Sequence, residues 1–507
     1  MYCQKCGTEN PDDAKLCRAC SWVLVSTAYA PRPDVKTSGL AITSLVLAIL
    51  SPFACFFTAL PAIIFGIIAL VKISKSSGQL KGKGPAIAGI TLPIIFLPII
   101  LALIFILWSF DADPIPEDYT IADLGSASPE CALSYELLMS ISEKGEKHPP
   151  DALLIGLSAQ DVNLVYQVNN IIKENDYFGI VEAIKENAKG IYQAWENAKK
   201  GRDIIEELNT FPEIADLTEP DLEANIGFLR NIKLLAFLYQ DYIYLQTENG
   251  SIQDAVTELI KLDSIFRKLS VNARSTVTKL VCYAGLNMDI RTANFIVNNP
   301  RTSNEALELL AEHFTLLTKE QVSLRNSVIS EYLMFKKTLD TKISKDYSLP
   351  KTPFLKRNSM LRLYKNYCDN WINVIEQSQE PKKSELSVWP SIYPDWIVVS
   401  IDSEGKVPWI YTAYNPIGSI LVRLFTPAME KVLEIKTKLI VQDDLFQIVL
   451  NKRLGREISL KARAYSNEYT IDVEKKEIFS PGPDEEPQTD DDIKLLINPE
   501  ALGLELE

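Results

Sequence analysis

Two apolar segments near the N-terminus constrain this chain more than any other feature. Residues 40–73 carry one charge, Lys72, and residues 85–108 carry none. A helix that spans a bilayer needs about 20 apolar residues. The second segment, PAIAGITLPIIFLPIILALIFILW, therefore predicts a transmembrane helix over residues 85–109 that ends at an interfacial tryptophan.

The first apolar segment is longer than one span requires, and Pro52 and Pro61 interrupt its middle. Because proline disrupts the interior of a helix, we expect two short helices that fold back as a hairpin over residues 40–73; a single span is the alternative. A lysine-rich loop over residues 74–84 follows. The hairpin, the loop and the last helix make up a predicted membrane domain over residues 39–109.

The charges that flank these segments indicate their orientation. Arg32 and Lys36 precede the hairpin, four lysines lie in KISKSSGQLKGKG, and DADPIPEDY after the last helix holds no cation. The positive-inside rule then keeps the N-terminus and the lysine loop in the cytoplasm. Residues 110–507 are predicted to be extracytoplasmic, on the far side of a bacterial inner membrane. We interpret the lysine loop as a topology signal, with binding of anionic lipid head groups as the alternative.

Four cysteines at the N-terminus form two C-x2-C pairs that ten residues separate. This spacing is typical of a structural zinc site with four thiolate ligands. Gly7 after the first pair allows a left-handed backbone, whereas Ser21 follows the second pair. We expect a zinc ribbon over residues 1–24 and a linker over residues 25–38; a redox or disulfide pair set is the alternative. The predicted zinc ligands are Cys3, Cys6, Cys17 and Cys20.

Motifs of the membrane domain resemble those of a known family. SGLAITSLVLAIL, PAIIFGIIALVKI and GKGPAIAGITLPII are similar to an uncharacterised bacterial family of small membrane domains with GLAI-SLVL, GIIAL and AIAG motifs. Members of that family often carry an N-terminal zinc ribbon that begins YCxxCG, as this chain does. The resemblance covers residues 1–105 and implies this architecture without implying an activity.

The remainder of the chain is acidic. Residues 1–109 hold nine Lys and Arg and four Asp and Glu, so that residues 110–507 hold 43 basic and 62 acidic residues of the 52 and 66 in the whole chain. A strongly acidic domain repels a phosphate backbone, which excludes nucleic acid as a partner of this part.

Helical periodicity dominates residues 110–385, and we expect an α-helical bundle or an irregular α-solenoid, because no repeat of fixed period is evident. TENGSIQDAVTELIKLDSIFRKLS predicts the turn and second helix of a helical hairpin. Cys282 lies in apolar sequence and is predicted to be in the core, although a bridge between Cys131 and Cys282 stays open. Helix starts are predicted at four capping boxes, which are Ser158 with Asp161, Thr218 with Asp221, Ser251 with Asp254, and Thr302 with Glu305.

Catalytic motifs are not evident in the sequence. G-x-S-x-G, H-E-x-x-H and glycine-rich nucleotide loops do not occur, and they are the patterns that mark many hydrolases and nucleotide enzymes. Of two histidines, His313 is interpreted as a surface or core residue without an evident partner. The paired acids Asp443 and Asp444 are interpreted as a solvated face, which is usual in an acidic chain.

Residues 386–507 change to a mixed α/β character. DWIVVSID and WIYTAYNPIG predict strands and turns, a helical run is predicted from Ile417 to Leu454, and alternating residues near the end predict paired strands. We therefore expect a small α+β segment that ends in an acidic tail.

The acidic tail FSPGPDEEPQTDDDI, residues 479–493, resembles the end of major type II secretion pseudopilins. In those proteins a similar loop binds calcium, a hard cation that prefers oxygen ligands. Glu485 stands where that family usually has glycine, and a solvated acidic turn is the alternative. The residues that the resemblance implies as ligands or loop positions are Ser480, Gly482, Asp484, Asp490, Asp491 and Asp492.

These features predict a multidomain, mainly α membrane protein of the bacterial envelope. Its expected function is to bind a protein or peptide, as a scaffold or as an accessory of a secretion or surface assembly. An envelope-polymer hydrolase that uses carboxylates, and a membrane-bound sensor with a cytoplasmic large domain, are the alternatives. Three tyrosines are interpreted as packing residues that a peptide groove would also use; they are Tyr239, Tyr242 and Tyr244.

Overall fold

The computed structural model comprises two compact units, Met1–Ser109 and Phe110–Glu507. It describes residues 1–24, 35–54, 56–115, 118–125, 128–142, 151–174, 177–343, 355–377, 384–386, 399–401, 409–426, 429–457, 462–464, 468–482, 484 and 486–504. The protein is mainly helical, with small sheets.

Three apolar helices follow the cysteine pairs in the first unit. They are α1 (Gly39–Ala54), α2 (Phe56–Lys75) and α3 (Lys83–Ser109). Two stretches, Phe57–Lys75 and Lys83–Leu103, are long and apolar enough to cross a membrane, by length and composition alone. A helix of 16 residues such as α1 is about 24 Å long, and α1 packs along both α2 and α3.

Pro61 does not interrupt its helix as the sequence led us to expect. Pro61 lies inside α2, and Pro93 and Pro98 lie inside α3. Apolar helices tolerate proline where neighbouring helices and hydroxyl side chains satisfy the freed backbone groups. The expectation that Pro61 interrupts the first segment is therefore wrong.

A short pairing closes one end of the three helices. Strand β1 (Lys36–Thr37) pairs in parallel with β2 (Leu80–Lys81), and the Ser38 amide donates to the Lys81 carbonyl at 2.9 Å. Since β1 directly precedes α1 and β2 directly precedes α3, both helices start at this end. The lysines of the β1 and β2 segments consequently lie together.

Small residues allow the three helices to approach closely. Ser44 Oγ of α1 donates to the Ala62 carbonyl of α2 at 2.7 Å. A Cβ added at Gly66 of α2 would lie 2.9 Å from Ser44 Oγ, and one at Gly89 of α3 would lie 1.9 Å from the same atom. Close packing of small residues is the usual basis of helix association in a bilayer.

In the residues that the structure describes, the second unit contains helices α4 to α17 and five strands. The helices are α4 (Pro129–Met139), α5 (Ala159–Glu174), α6 (Tyr177–Asn197), α7 (Lys199–Thr210), α8 (Phe228–Asn249), α9 (Ile252–Val271), α10 (Thr276–Val297), α11 (Asn304–His313), α12 (Lys319–Val322), α13 (Arg325–Thr338), α14 (Arg357–Gln377), α15 (Trp409–Tyr414), α16 (Pro416–Phe425) and α17 (Met429–Arg453). One core cluster runs from Leu124 to Leu502, so that the C-terminal helices and strands share the hydrophobic core of the earlier helices.

The predicted helical hairpin is confirmed. Helices α8 and α9 are joined by Gly250 and Ser251, and Gly250 adopts a left-handed φ of 87° at the end of α8. A left-handed residue at this position is a common way to end a helix, and glycine takes it without a steric cost.

The capping predictions have mixed outcomes. Ser158 and Asp161 form both hydrogen bonds of a capping box before α5. Helix α9 begins after Ser251 as expected, but no capping hydrogen bond forms there. Before α11 the cap is Ser303 and not Thr302, whose hydroxyl donates to the Ile296 carbonyl instead.

The fourth capping prediction is wrong. No helix begins at Thr218, whose amide donates to Asp216 Oδ1 at 3.0 Å. Asp216 Oδ2 accepts from the hydroxyl of Thr278 in α10 at 2.6 Å. Asp216 thus hydrogen-bonds both to the Thr218 amide and to distant α10. These bonds hold the segment in a non-helical conformation in spite of its local capping pattern.

The C-terminal segment differs from its prediction in two places. WIYTAY forms α15 and not a strand, and Asn415 then caps α16 by accepting from the Gly418 amide. The predicted single run from Ile417 to Leu454 is divided into α16 and α17. Tyr411 and Tyr414 are buried on one side of α15, and this packing overrides the strand propensity of aromatic residues.

Two small antiparallel sheets complete the second unit. Strand β3 (Ser384–Leu386) pairs with β4 (Val399–Ile401). Strands β5 (Thr470–Asp472), β6 (Glu477–Ser480) and β7 (Ile493–Leu496) form the second sheet in that order, which confirms the paired strands expected near the end of the chain.

Lys279 of α10 is a buried cation, 1% exposed, that donates to the carbonyls of Ser270 and Gln321 at 2.5 and 2.8 Å. Burial lowers the pKa of this ammonium to about 8. Between pH 8 and about 10.4 the folded chain is neutral here while the unfolded chain remains charged. The unfolded state then binds more protons than the folded state. The contribution of Lys279 to the free energy of unfolding therefore rises with pH across that window.

We predict that Gly89→Ala destabilises the first unit by about 1–3 kcal/mol, because the added methyl overpacks the contact with Ser44. Thermal unfolding of the full-length protein in lipid nanodiscs would measure the effect. Gly84→Ala is the matched control, since no atom lies within 4 Å of a Cβ at that position of α3. Equal melting temperatures for the two variants would contradict the close three-helix contact.

We predict that the stability difference between the wild type and Lys279→Met shifts by about 1–2 kcal/mol in favour of the wild type between pH 7 and pH 9.5. The reason is that the wild-type ammonium loses its buried charge over this range. Melting temperatures of both proteins across the range would report it, with the exposed Lys200→Met as control. A difference that does not change with pH would contradict a depressed pKa.

Candidate metal and ligand sites

The four N-terminal cysteines lie on two nearly identical turns. In the first turn the Gly7 amide donates to the Cys3 carbonyl and the Cys3 amide donates to the Thr8 carbonyl, both at 2.9 Å. In the second turn the Ser21 amide donates to the Cys17 carbonyl at 2.9 Å. Gly7 and Ser21 have φ of 75° and 51°. The left-handed position is therefore kept in the second turn although serine occupies it.

The sulfur atoms of the two turns converge. Sγ atoms of Cys3 and Cys20 are 3.6 Å apart, as are those of Cys6 and Cys17, and all four lie within 4.8 Å of one another. Zinc–sulfur bonds of about 2.3 Å imply edges of about 3.8 Å in a tetrahedron of sulfurs. The four cysteines therefore lie close enough to bind one metal ion.

Asn10 links the two turns and was not anticipated from the sequence. Its side chain is 3% exposed; Nδ2 donates to the Thr8 carbonyl at 2.7 Å and approaches Cys17 Sγ at 3.6 Å. Its Oδ1 accepts from the Arg18 amide at 3.0 Å. The dipeptide Asn10–Pro11, which is typical of turns, is the feature of the sequence that indicates a structural role for Asn10.

The surroundings of Cys17 favour its thiolate. Burial raises the pKa of this thiol, but hydrogen bonds from the amides of Ala19 and Cys20, together with contacts to Cys6 and Asn10, lower it to about 6. The Trp22 amide lowers the pKa of Cys20, but the neighbouring thiols and burial raise it to about 12, so the cluster favours the thiolate at Cys17 and not at Cys20. A thiolate is the form that binds a metal.

A second candidate site is a cavity of about 870 Å³ in the helical unit. Its walls come from α5, α6, α8, α9 and α10, and β7 closes one side. Phe237, Phe266 and Phe295 line it and are at most 9% exposed. Gly285 is required for this wall, because a Cβ there would lie 2.5 Å from the Phe266 ring.

A face of α10 is left open along the cavity. Val277, Leu280, Val281, Ala284 and Met288 recur at helical spacing and line the cavity. Val277 is 48% exposed. The cavity consequently reaches the surface along this apolar face.

Side-chain amides line the cavity beside the aromatic rings. Gln240 Oε1 accepts from Asn169 Nδ2 at 3.1 Å, and Gln240 Nε2 donates to the hydroxyls of Tyr244 and Thr292 at 3.2 and 3.1 Å. Within the part of the chain that the structure describes, Asn169 Oδ1 and Asn287 Oδ1 are buried without a hydrogen-bond partner.

The charged residues that line the cavity are mostly cations. They are Lys233, Arg291, Lys476 and Lys494, together with one carboxylate, Glu500. All five are exposed and hence lie at its rim. The rim of the cavity therefore carries a net positive charge, although residues 110–507 as a whole are acidic.

His313 has a carboxylate partner, which corrects the expectation that it has none. Its Nε2 lies 2.8 Å from Asp263 Oδ2, and Arg267 Nε donates to the same oxygen at 2.5 Å. Asp289 is buried near Asp263; burial first, and the negative charge of Asp263 second, hold the pKa of Asp289 well above its usual value.

The interpretation of Asp443 and Asp444 as a solvated face is wrong. Their side chains are 1% and 7% exposed, and both bind Arg463. Asp443 Oδ2 also accepts from the Leu317 amide at 2.8 Å, and Asp444 Oδ2 accepts from the Tyr469 hydroxyl at 2.7 Å. These acids connect α17 to two loops, a structural role that charge counting along the sequence does not reveal.

The predicted calcium ligands have backbone partners. Asp491 Oδ2 accepts from the Asp484 amide at 3.2 Å, and Asp492 Oδ2 accepts from the Gln488 amide at 2.9 Å. Ser480 is 1% exposed, whereas Asp490 is exposed. Among the described residues the cysteine cluster is the group of three or more His, Cys, Asp or Glu whose ligand atoms converge. The calcium site stays a prediction.

Two of the other cysteines and the three tyrosines that the sequence singled out are buried or stacked on neighbouring rings. Cys131 and Cys282 are both free and buried, so the bridge that the sequence left open is not formed. Burial raises the pKa of Cys282 to about 12. Tyr239 and Tyr244 are at most 2% exposed, and Tyr242 stacks on Trp195 with ring centroids 3.8 Å apart.

Comparison with known proteins identifies one segment. Residues 40–104 match the model of a domain of unknown function (DUF4190). The match covers most of α1 to α3 and does not extend to the cysteine turns or to the second unit. No curated protein and no solved structure matches the chain. The resemblance is thus supported for an uncharacterised domain over residues 40–104.

We predict that Asn10→Ala weakens the binding of added zinc ions at the four cysteines by about 10- to 100-fold, the range seen when residues that orient metal ligands are lost. Chelator competition on the purified full-length protein would measure the affinity. The exposed Lys15→Ala in the same module serves as control. An affinity equal to that of the wild type would show that Asn10 does not orient the site.

Proposed function

We propose that this chain is a membrane-anchored protein of the bacterial envelope that acts by binding and not by catalysis. In this proposal the helical unit engages a protein or peptide partner, as a scaffold or as an accessory of a secretion or surface assembly. The N-terminal cysteines bind a structural zinc ion in the cytoplasm, and residues 110–507 lie outside the inner membrane.

The chemistry of the cavity is the observation that carries the binding role. Its lining, within the described part of the chain, holds one carboxylate, Glu500, and no histidine, cysteine, serine or threonine. Hydrolysis of a glycosidic polymer by carboxylates requires two acids that face each other across the bond. The apolar walls and few polar groups of this cavity are instead typical of a binding site.

The pairing of β1 with β2 supports the proposed orientation. It brings the segment before α1 and the lysine loop before α3 to the same end of the helices. A hairpin of α1 and α2 followed by one span of α3 has this property. Lys36, Lys75, Lys81 and Lys83 then all favour the cytoplasmic face.

The geometry of the cysteine cluster supports zinc. Four thiolates on one zinc ion leave no open coordination position, so a bound zinc ion would stabilise the module and would not take part in a reaction. A module of about 24 residues has too small a core to fold alone, and metal binding would supply the missing stability.

Reporter fusions at the N-terminus, at Gly82 and after Asp118 test the proposed function. We expect a reporter that is active only in the cytoplasm to work at the first two sites, and one that is active only outside to work at the third. Partners would then be sought among exported proteins. A cytoplasmic signal after Asp118 would contradict the envelope role and favour the sensor alternative with cytosolic partners.

A further inference from the structure

We infer that the cavity of the helical unit binds an amphipathic molecule with a long acyl chain and an anionic head group. The inference rests on the binding role proposed above but goes beyond it, because it assigns the cavity to a small amphipathic ligand. The protein or peptide partner of the proposed function would then contact another surface of the helical unit. It is carried by the shape of the cavity, its apolar walls and the charge of its rim.

The size and walls of the cavity suit a hydrocarbon chain. Its volume of about 870 Å³ falls within the range of about 300–1,000 Å³ that small-molecule sites occupy. Phe266 and Phe295 form the interior, and the open face of α10 from Val277 to Met288 extends it to the surface. Contact with an acyl chain would remove this apolar surface from water.

The Gln240 amide at the interior end is already hydrogen-bonded within the protein. Gln240 bonds to Asn169, Tyr244 and Thr292. Both ends of its amide are therefore satisfied by the protein. A hydrocarbon chain can lie beside Gln240 without breaking these bonds.

The rim favours an anion. Lys233 of α8 and Arg291 of α10 have no carboxylate within ion-pair distance among the described residues, and Lys476 and Lys494 add positive charge from the sheet. Lys494 is partly neutralised, at 3.5 Å from Glu477 and 3.6 Å from Asp492. A carboxylate or phosphate head group at the surface would pair with Lys233 and Arg291 while its chain lies inside.

A peptide fits this site less well. A peptide that adds to a sheet needs free backbone groups on an edge strand. At the C-terminal end of β7 such groups are engaged, because the Leu496 carbonyl accepts from Asn294 Nδ2 at 2.7 Å and the Asn498 amide, two residues further on, donates to Asn298 Oδ1 at 2.5 Å. Main-chain recognition is thus unavailable at this end of β7.

Photoaffinity labelling locates the site directly. The full-length protein in lipid nanodiscs would be irradiated with a diazirine derivative of palmitic acid, and labelled residues would be identified by mass spectrometry. We expect labels on α8 and α10 that excess palmitate removes. Labels confined to the apolar helices of the first unit would overturn the inference.

Two substitutions test occupancy of the cavity, each with a matched control. Ala284→Trp fills the open wall from an exposed position, and Ala132→Trp places the same side chain on α4 away from the cavity. We expect the first to reduce labelling of α8 and α10 about tenfold or more and the second to leave it unchanged. In a second pair, Val277→Glu places a carboxylate on the apolar wall of the cavity and should reduce labelling. Val271→Glu places the same group outside the cavity and is its control. Equal labelling of all four variants would contradict the site.

Head-group preference tests the rim. The double variant Lys233→Gln/Arg291→Gln should weaken competition by palmitate about three- to tenfold, as expected for two exposed ion pairs. Competition by hexadecanol, which has no charge, should not change, and Lys200→Gln should alter neither. Equal losses for both competitors would overturn the anionic head group. Stronger competition by an acidic apolar peptide than by palmitate would assign the cavity to a peptide.

The outcome is independent of membrane orientation. The reporter fusions read only which side of the membrane residue 118 occupies, whereas labelling reads only whether the cavity is filled. An extracytoplasmic signal after Asp118 without labelling of α8 and α10 would overturn the ligand and leave the envelope role. Labelling of α8 and α10 together with a cytoplasmic signal after Asp118 would overturn the envelope role and leave the ligand assignment.

Discussion

The hydrogen-bonded pairing of Lys36–Thr37 with Leu80–Lys81 is the contact on which the arrangement of the first unit depends. It joins two points of the chain that two apolar helices separate. In the membrane arrangement proposed above, the end that gathers several lysines remains in water, because charged side chains are costly within a bilayer. In that proposal α1 and α2 leave and return to one side, and α3 carries the chain away from it.

This arrangement explains the composition of the helices. Lipid tails supply no hydrophobic drive between helices, so close packing and hydrogen bonds must hold them together. Ser44, Gly66 and Gly89 provide both, since Ser44 Oγ donates across to α2 and the two glycines leave room for it. The match to a domain of unknown function covers these positions, and the structure thus gives the domain a physical description.

The second unit is held by buried charge as well as by its apolar core. Arg463 binds Asp443 and Asp444, and Arg267 binds Asp263 together with His313. Removing one partner of a buried ion pair typically costs about 3–5 kcal/mol, because the other charge is left unpaired. These ion pairs involve none of the residues that line the cavity. Some of the acidic residues of the unit therefore stabilise the fold through buried ion pairs. The rim of the cavity differs from the rest of the unit because its charged residues are mostly cations.

The sequence alone predicted the features that depend on local spacing. The two cysteine pairs, the hairpin of α8 and α9, and the strands near the C-terminus all follow from residues that are close in the chain. The sequence failed to predict the structure where distant contacts decide the conformation. The Thr218 amide donates to Asp216, which is itself bound to α10, and no helix starts there; Tyr411 is buried in the core, and its segment forms the helix α15. The cavity could not be anticipated, because five helices and a strand from residues 169–500 create it together.

The account depends most directly on the shared end of α1 and α3. Thr37 and Lys81 are paired in the β1–β2 register, at a separation that a disulfide can bridge. In isolated membranes treated with an oxidant, the full-length variant Thr37→Cys/Lys81→Cys should form an intramolecular bridge that mass spectrometry detects. The pair Thr37→Cys/Ile106→Cys, with the second cysteine near the far end of α3, should form none. Absence of the first bridge, or equal yields from both pairs, would contradict the proposed membrane arrangement.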